Sequence, residues 1–343
     1  MPNPTLTEAI DRLAAREDLD SERMAAVLAE IMGGNASEVE TAAVLIALRT
    51  KGETIDELVG LAATMRRFAT PVTTGRTDLI DTAGTGGGRQ TFNVSTTAAL
   101  IAAGAGCAVA KHGNRSATGL SGSADVLEAL GVRIDLDPAA VARCIEEIGF
   151  GFMFAPAHHG ATRFVIPVRK ELAVRTIFNF LGPLTNPAGA TRQVIGVSDP
   201  AYLEVMAGAL ARLGADRALV VSSADGLDEL STSGPTRVVE VDGGGLRAYE
   251  VAPEDVGLTR SAYEDVAGGP PDANAATTRR ILAGRPGPAR DLAALNAGAA
   301  IYAAGRAEDL AGGVRAAEAA IDSGAAAGAL DRLVGLTAKL APA

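Results

Sequence analysis

A glycine-rich segment, residues 81–88 (DTAGTGGG), follows a short apolar run and leads through residues 91–96 (TFNVST) into a helical pattern. Consecutive glycines let backbone amides converge on an anion, because no Cβ obstructs the approach, and a helix N-terminus favours negative charge. The combination is typical of a phosphate-binding loop. A tight turn that needs positive φ would produce the same glycines, so this segment alone leaves both interpretations open.

A second segment supplies cations. Residues 110–116 (AKHGNRS) follow the next apolar run and continue into residues 118–125 (TGLSGSAD). Lys111 and Arg115 could neutralise phosphate charge while backbone amides fix its position. An isolated K-x-x-x-R pattern is more often a solvated loop. Beside a glycine-rich loop on the neighbouring strand, however, the two segments together predict a polyphosphate site.

Two further features could complete such a site. Asp228 and Glu229 are adjacent in residues 226–230 (GLDEL), and Arg169 lies in residues 167–170 (PVRK). Carboxylate oxygens are hard ligands that suit Mg²⁺, and a guanidinium group can bind a carboxylate through paired hydrogen bonds. From the residues alone, an acid pair in a loop and an arginine on an amphipathic helix could equally be solvated surface groups.

Four short helical patterns precede residue 70 and would form a small all-helical module. Three of them begin with capping-box spacing, in which a hydroxyl and a carboxylate satisfy the free amides of the first turn. The predicted pairs are Thr5 with Glu8, Ser37 with Glu40, and Thr54 with Glu57. Residues 70–75 (TPVTTG) read as a linker that leads out of the module.

After residue 77, apolar runs alternate with helical segments, which is the pattern of β-α-β units. The candidate strands are residues 78–81, 108–110, 150–154, 194–197 and 218–222, and the helices between them are residues 96–104, 123–130, 138–148 and 201–213. Residues 236–251 read as a hairpin, with helices to the end of the chain. We therefore expect an α/β fold, in which a small N-terminal helical domain, residues 1–73, precedes a larger α/β domain, residues 74–343, with a mostly parallel sheet flanked by helices.

The composition supports this architecture and restricts the partners. Of 343 residues, 48% are hydrophobic but only 3% are aromatic and none is Trp, so Ala, Val, Leu and Ile must form the core. The net charge of −10 disfavours a nucleic-acid partner. The sequence has no leader-like start and no stretch long enough to span a membrane. Cys107 and Cys144 lack C-x-x-C spacing, which favours reduced thiols. We expect a cytoplasmic protein without membrane association.

Four motifs together closely resemble the anthranilate phosphoribosyltransferases over almost the whole chain: DTAGTGGGRQTFNVSTTAAL, KHGNRSATGLSGSADVLEALG, VRKELAVRTIFNFLGPLTNP and GLDELS. K-H-G-N-R and R-T-x-F-N-x-L-G-P-L-x-N-P are the most specific parts. The resemblance implies that a helical domain and an α/β domain face each other across a cleft, with a returning segment near residues 165–189 joining the helical domain. It also implies a homodimer formed through the helical domain.

The resemblance implies a magnesium-dependent reaction in which anthranilate displaces pyrophosphate from phosphoribosyl pyrophosphate, in tryptophan biosynthesis. The residues that it places around phosphoribosyl pyrophosphate are Gly84, Gly87, Gly88, Thr91, Asn93, Val94, Ser95, Thr96, Lys111, His112, Gly113, Asn114, Arg115, Ser116, Ala117, Thr118, Gly119 and Ser123. Those that it places around anthranilate are Gly84, Asn114 and Arg169, and those around Mg²⁺ are Ser95, Asp228 and Glu229. No side chain acts as a covalent nucleophile. His159 matches a recurrent family histidine, whereas His158 has no matching role.

This chain departs from the common family pattern at two places. Gly88 stands where many members have aspartate, and the stretch after it is one residue shorter, which puts the contacts of Gly88 and the register of Thr91 in doubt. Leu120 stands where many relatives have lysine. We expect these departures to change affinity and metal dependence and to preserve activity.

Two alternative functions stay open on the sequence. A pyrimidine nucleoside phosphorylase has the same architecture but uses inorganic phosphate and a nucleoside, and K-H-G-N-R with Arg169 argues against it. A non-catalytic relative that binds nucleic acid would have a basic face and would have lost its metal residues. The retention of Asp228 and Glu229 in an acidic chain argues against that alternative.

Overall fold

A computed structural model describes residues 1–116 and 119–342, so that the predicted site residues Ala117 and Thr118 lie outside the described residues. Within these ranges seven strands form one sheet in the order β3-β2-β1-β4-β5-β6-β7. The strands are β1 Leu79–Gly84, β2 Ala108–Gly113, β3 Phe150–Phe154, β4 Arg192–Gly196, β5 Arg217–Ser223, β6 Thr236–Asp242 and β7 Gly245–Val251. The first five are parallel, and β6 and β7 form an antiparallel hairpin at one edge. The predicted mostly parallel sheet is thus confirmed.

Fifteen α-helices lie within the described ranges. They are α1 Pro4–Ala14, α2 Ser21–Met32, α3 Glu38–Lys51, α4 Ile55–Phe68, α5 Val94–Gly104, α6 Ser123–Ala129, α7 Pro138–Ile148, α8 Ala155–His158, α9 Ile166–Leu172, α10 Phe178–Leu181, α11 Leu203–Arg212, α12 Pro271–Leu282, α13 Pro288–Ala303, α14 Leu310–Asp322 and α15 Ala325–Leu340. Short 3₁₀ turns occupy Gly160–Phe164, Gly182–Leu184, Pro200–Tyr202, Pro253–Val256 and Tyr263–Val266. None of the helices in this part of the chain is long and apolar enough to cross a membrane.

The helix starts in the N-terminal module follow the predicted capping chemistry in two of three cases. The capping boxes at Ser37 and Thr54 are both present. The prediction at Thr5 is wrong, because α1 begins at Pro4 and its N-cap is Asn3, whose side chain accepts hydrogen bonds from the amides of Thr5 and Leu6. Proline is pre-organised for the first helical turn, so Asn3 followed by Pro4 was the better signal.

Two apolar clusters flank the sheet. One contains most of α5, α7 and α13 to α15 and covers the face formed mainly by β1, β2 and β3. The other joins the buried residues of α1 to α4 to those of residues 165–184 and to α11, over the opposite face of β4, β5 and β6. The helical domain therefore shares its core with a segment that lies some hundred residues later in the chain. This segment lies within the predicted returning stretch, residues 165–189.

The strand order indicates which edge of the sheet is expected to bind ligands. The chain runs from β1 outward through β2 to β3, and then returns to place β4 on the other side of β1. In open parallel sheets ligands bind at such a switch point, at the carboxyl ends of the strands. The loops after β1, β2 and β5, which carry the glycine-rich, cationic and acidic motifs, all leave the sheet at this edge. The predicted helical tail begins only at Pro271, since residues 252–270 are irregular apart from two 3₁₀ turns.

Candidate functional site

A cleft of about 760 Å³ opens at this edge of the sheet. One wall is formed by the glycine-rich loop, the loop after β2 and the acid pair after β5, and the opposite wall by α4, α9 and α10. Every predicted site residue within the described ranges lines it: Gly84, Gly87, Gly88, Thr91, Asn93, Val94, Ser95, Thr96, Lys111, His112, Gly113, Asn114, Arg115, Ser116, Gly119, Ser123, Arg169, Asp228 and Glu229. The structure thus brings the predicted groups together, and their contacts with ligands stay predictions.

The glycines in the loop after β1 are required for two reasons: some have positive φ, and others lie so close to Asp228 that a Cβ would not fit. Gly86 and Gly87 have φ values of +66° and +84°, which L side chains rarely adopt. A Cβ on Gly84 would lie 2.9 Å from Oδ2 of Asp228, and one on Gly88 would lie 2.7 Å from its Oδ1. The loop and the acid pair are therefore packed into one unit, and the amide of Gly86 donates to Oδ2 of Asp228 at 2.9 Å.

The N-terminus of α5 faces the cleft and carries polar groups that lack hydrogen-bond partners among the described residues. Its N-cap residue, Asn93, gives the helix no side-chain cap within the described chain. The Asn93 side-chain amide instead bonds to Ser121 and Asn274, which fixes the loop after β2 beside the helix start. The hydroxyl of Thr96 is buried and has no hydrogen-bond partner among the described residues. A buried donor of this kind at a helix N-terminus fits an anionic ligand.

Lys111 is buried beneath the glycine-rich loop. Its ammonium group donates to the carbonyl oxygen of Thr82, to the hydroxyl of Thr82 at 3.2 Å and to the hydroxyl of Ser95 at 3.3 Å. Burial lowers the pKa of Lys111, and the negative charges of Asp81 and Glu229 act in the opposite direction. Lys111 therefore places its side-chain nitrogen at the floor of the cleft, next to the predicted metal ligand Ser95.

Asp228 and Glu229 lie side by side in a partly buried position. Burial raises the pKa of Asp228, while the Gly86 amide and Arg175 oppose the change. Burial, reinforced by Asp228, raises the pKa of Glu229 to about 8, although the Lys111 charge and the backbone amide of Ser95 act against it. Two adjacent carboxylates that repel each other in this way fit a divalent cation, whose charge would favour their ionised forms. No cluster of three or more His, Cys, Asp or Glu exists in the described chain, so other oxygens would complete the ligand set.

Arg169 lies across the cleft on α9. Its guanidinium carbon is 5.6 Å from the ring centre of Phe178, and burial lowers its pKa. Its side chain has neither a hydrogen-bond partner nor an ion-pair partner among the residues that the structure describes. A partly buried and unpaired guanidinium beside an aromatic ring suits an aromatic carboxylate, because the carboxylate would supply the missing acceptors.

The three histidines differ in environment. The rings of His112 and His159 are 5.0 Å apart, and both line the cleft. Burial lowers the pKa of His112 to about 3, with His159 adding to the effect, and lowers that of His159 to about 4. His158, for which the sequence offered no role, fixes the interdomain linker: its Nδ1 donates to the carbonyl of Thr70 at 3.0 Å, and the Thr70 amide donates to the His158 carbonyl at 2.7 Å.

The loop after β2 is shaped by the start of α6. Arg115, a predicted phosphate contact, is paired with Asp125 at 2.9 Å and with Glu128 at 2.5 Å, so its charge is compensated on the protein surface. Asp125 also accepts a hydrogen bond from the amide of Ser116 at 3.1 Å. The hydroxyl of Ser123 donates to the carbonyl of Asn114 at 3.2 Å, and a Cβ on Gly113 would lie 2.1 Å from that hydroxyl oxygen.

The region around Gly88 is held by distant parts of the chain. The amide of Arg89 donates to the carbonyl of Gly226 at 3.0 Å, and the Arg89 guanidinium stacks on Tyr263, 3.6 Å from the ring centre. Thr91 forms an isolated bridge with Ala267. In the structure Arg89 is thus directed to Tyr263. The shortened loop closes against the acid-pair loop and residues 263–267.

Several cleft residues were missed by sequence reasoning. Arg175 reaches the glycine-rich loop from the opposite wall, and Gly268, Gly269 and Asn274 line the cleft from the start of α12. Arg175 stood inside the recognised R-T-x-F-N motif, so its place in a specific motif was a usable signal. The other three lie in a segment without any recognised motif, and only the tertiary fold brings them to the site.

Comparison with known proteins agrees with this geometry. Residues 76–327 match the family model described as "Glycosyl transferase family, a/b domain", and residues 7–69 match "Glycosyl transferase family, helical bundle domain". The fold and the cleft thus define a two-domain glycosyl transferase. A more specific assignment comes from individual relatives: the chain belongs to the anthranilate phosphoribosyltransferase family. This assignment confirms the resemblance found in the sequence.

Two curated relatives illustrate the match. The chain is 54% identical over 338 residues to the anthranilate phosphoribosyltransferase of Rubrobacter xylanophilus, with 98% of each chain covered. It is 51% identical over 330 residues to that of Moorella thermoacetica, with 96% of this chain and 97% of the relative covered.

Solved structures show the same similarity. The crystal structure of anthranilate phosphoribosyltransferase from Thermus thermophilus is similar with a TM-score of 0.92 and 48% identity, over 96% of this chain and 99% of the other. The Saccharomyces cerevisiae enzyme in complex with PRPP and Mg is similar with a TM-score of 0.89 and 26% identity, over 98% of each chain. The helical domain and the larger α/β domain predicted from the sequence are thereby confirmed.

Proposed function

We propose that this chain transfers the phosphoribosyl group of phosphoribosyl pyrophosphate to anthranilate, giving N-(5-phosphoribosyl)anthranilate and pyrophosphate in tryptophan biosynthesis. One observation carries the proposal: a glycine-rich loop, a buried lysine and an acid pair share one cleft with an arginine on the opposite wall that has no partner among the described residues. Phosphoribosyl pyrophosphate would meet Lys111 and the loop amides on one side of the cleft, and the anthranilate carboxylate would meet Arg169 on the other side. Full-length identity of about half to named relatives supports the same reaction.

The donor side would bind phosphoribosyl pyrophosphate through backbone amides and a small number of cations. The amides of the glycine-rich loop and of the first turn of α5 would donate to the phosphate oxygens, helped by the unpaired hydroxyl of Thr96. Lys111 would offset the negative charge from below. The proposed donor contacts are those that the sequence predicted, namely Gly84, Gly87, Gly88, Thr91, Asn93 to Thr96, Lys111 to Gly119 and Ser123.

Mg²⁺ is the cofactor of the proposed reaction. The structure of the S. cerevisiae relative is a complex with PRPP and Mg. In this chain Asp228, Glu229 and the hydroxyl of Ser95 would hold the ion, whose charge would oppose the raised pKa values of the two carboxyl groups. When bound, the ion would neutralise charge on the diphosphate.

The acceptor side would orient anthranilate by its carboxylate. Arg169 would donate paired hydrogen bonds to that group, while Phe178 packs beside the aromatic ring. Asn114 and Gly84 would border the amine at the middle of the cleft. The amine would then face C1 of the ribose from the side opposite to the diphosphate.

The chemistry needs no covalent nucleophile on the protein. The anthranilate nitrogen forms a bond to C1 as the bond from C1 to the diphosphate oxygen breaks, and the nitrogen then loses a proton. Holding both substrates in line could contribute on the order of 7–11 kcal/mol to the lowering of the barrier. Lys111 and the loop amides would stabilise the charge that develops on the departing diphosphate. Closure of the helical domain over the cleft would exclude water, which would otherwise hydrolyse the donor.

The quaternary structure and domain limits form part of this proposal. We divide the chain into a helical domain of residues 1–73, joined by residues 165–189, and an α/β domain of residues 74–343. Val39 and Ile46 on α3 are 79% and 37% exposed, which leaves an apolar face on the helical domain. This face would pack against the same domain of a second copy in a homodimer. We place the enzyme in the cytoplasm.

The test is a fluorescence assay that follows the consumption of anthranilate. With phosphoribosyl pyrophosphate and Mg²⁺ present, the anthranilate signal should fall, and omission of either component should abolish the change. Phosphorolysis of thymidine or uridine with inorganic phosphate serves as the control for a nucleoside phosphorylase. Phosphorolysis without anthranilate consumption would replace the proposed function by that alternative.

A further inference from the structure

Arg175 links the two walls of the cleft. It follows α9, and its backbone carbonyl accepts a hydrogen bond from the Arg49 guanidinium of α3 at 2.9 Å. Its own guanidinium crosses to the α/β side, where it donates to the carbonyl of Gly86 at 3.1 Å and to the hydroxyl of Ser198 at 3.0 Å. A single residue thus connects the helical domain, through its backbone carbonyl, to the loops that follow β1 and β4, through its side chain.

Gly86 lies at the centre of this contact, and the peptide groups on its two sides have different partners. Its carbonyl, which belongs to the peptide group shared with Gly87, accepts from both Arg175 and the hydroxyl of Ser198, the latter at 3.0 Å. Its N–H, which belongs to the peptide group shared with Thr85, donates to Oδ2 of Asp228 at 2.9 Å. Because both peptide groups meet at the Gly86 Cα, Arg175 and Ser198 fix the direction of the Gly87 amide and hold the adjoining Gly86 amide against Asp228.

The neighbouring backbone is adapted to admit Arg175. A Cβ on Gly87 would lie 2.2 Å from Nη1 of Arg175, so a side chain at this position would displace the guanidinium from its observed place. Two residues before Arg175, Ala173 adopts the left-handed conformation with φ 51° and ψ 27°, which is unfavourable for a residue with a Cβ. Arg175 also lies six positions after Arg169, so one short segment carries both the acceptor-side arginine and the contact to the donor-side loop.

We infer that Arg175 is a positioning residue for the donor site: it orients the backbone on both sides of Gly86 and, through the Gly86 amide, Asp228. Binding of phosphoribosyl pyrophosphate with Mg²⁺ then depends on the position of the helical domain. The inference rests on the proposed function. This role requires a side chain with two separate donors, because the guanidinium donates both to the carbonyl of Gly86 and to the hydroxyl of Ser198, which lie on different loops. A lysine ammonium would keep the charge but could not reproduce that planar fork.

The test compares R175Q, R175K and S198A with the wild-type enzyme. Binding of phosphoribosyl pyrophosphate is measured by calorimetry at saturating Mg²⁺ without anthranilate, and KM is then measured for each substrate. R175Q should raise both the binary Kd and the KM for phosphoribosyl pyrophosphate by about tenfold or more, as expected for the loss of charge-assisted hydrogen bonds. R175K should be impaired nearly as much, and S198A less. The KM for anthranilate should be unchanged in all three.

Arg163→Gln is the matched control, because it removes an equal charge from an exposed arginine nearby that is not part of the cleft lining. Its binding constants should equal those of the wild type. Wild-type affinity for phosphoribosyl pyrophosphate in R175Q and R175K, full rescue by lysine, or a loss confined to anthranilate would each overturn the inference. If R175Q fails to fold, R175K and S198A decide. Failure of the proposed function would instead show in the wild type, which would leave anthranilate unconsumed.

Discussion

Mild acidification should destabilise this protein through two buried histidines. His112 and His159 are 7% and 3% exposed with rings 5.0 Å apart, so neither can be charged without burying that charge beside its neighbour. Burial lowers their pKa values to about 3 and about 4, with His159 adding to the effect on His112 and His158 adding to the effect on His159, while nearby backbone carbonyls oppose it. The ring nitrogen Nε2 of His112 and both nitrogens of His159 lack hydrogen-bond partners among the described residues, which agrees with neutral rings.

The sign and the size of the effect follow from linkage. In the unfolded chain both rings have a pKa of about 6.5. Below that pH the unfolded state therefore binds more protons than the folded state, in which both rings stay neutral. Stability is therefore complete above that value and falls as the pH falls through it. At about pH 5.5, one unit below, each histidine should lower the free energy of unfolding by about 1.4 kcal/mol, or about 2.8 kcal/mol for the pair.

Urea unfolding followed by circular dichroism, at about pH 7.5 and about pH 5.5, measures this difference. The H112Q and H159Q variants should each lose about 1.4 kcal/mol of the wild-type pH dependence, and the double variant should lose about twice as much. R163Q, which changes no titrating group in this range, should keep the wild-type difference. An equal difference in the wild type and the double variant would refute the reasoning, because other groups would then cause it.

Three further predictions concern the cleft. Arg169→Ala should reduce kcat/KM for anthranilate by roughly ten- to a hundredfold, the equivalent of about 1.5–3 kcal/mol. Lys170→Ala, at the neighbouring position, should leave kcat/KM unchanged. Equal effects of the two substitutions would contradict a role of Arg169 in carboxylate recognition. Asp228→Ala combined with Glu229→Ala should abolish metal-dependent turnover, and a magnesium titration that still activates this variant would refute the metal assignment. Gly88→Ala should lower stability by about 1–3 kcal/mol, because its Cβ would lie 2.7 Å from Oδ1 of Asp228 and 2.9 Å from its backbone nitrogen. Thermal unfolding measures that loss against Gly160→Ala, where a Cβ would meet nothing within 4 Å, and equal midpoints would contradict the packing argument.

Local chemistry explains why much of this fold could be predicted. The strand Phe150–Phe154 and the helix Pro138–Ile148 have the predicted bounds, because apolar runs and helix start and stop signals lie within the elements themselves. The strands β1 and β2 extend three residues beyond the predicted ends. Those extra residues are the beginnings of the glycine-rich and cationic motifs, whose composition does not resemble a strand. They pair because the parallel neighbours β3 and β4 offer them backbone partners.

The site residues that the sequence left without a role depend on contacts between distant parts of the chain. Arg175 bonds to Gly86 across 89 positions, and Tyr263 donates to the carbonyl of Gln90 across 173 positions. No local pattern encodes such a contact, since it results from the order of the strands and the return of residues 165–184 to the helical domain. The same reason explains His158, whose bond to Thr70 spans 88 positions.

The glycines of the site resolve an ambiguity that the sequence left open. Positive φ, the explanation by a tight turn, applies to Gly86 and Gly87. Gly84, Gly88 and Gly196 meet a different need, because a Cβ on any of them would lie within 3 Å of an atom of Asp228, in the last case 1.6 Å from its carbonyl oxygen. Turn formation and ligand binding are therefore not competing explanations. The same bare backbone that allows the loop to turn also allows the acid pair to approach it. In the proposed complex the loop amides, a buried lysine and the metal ion would outweigh, at this one place, the net charge of −10.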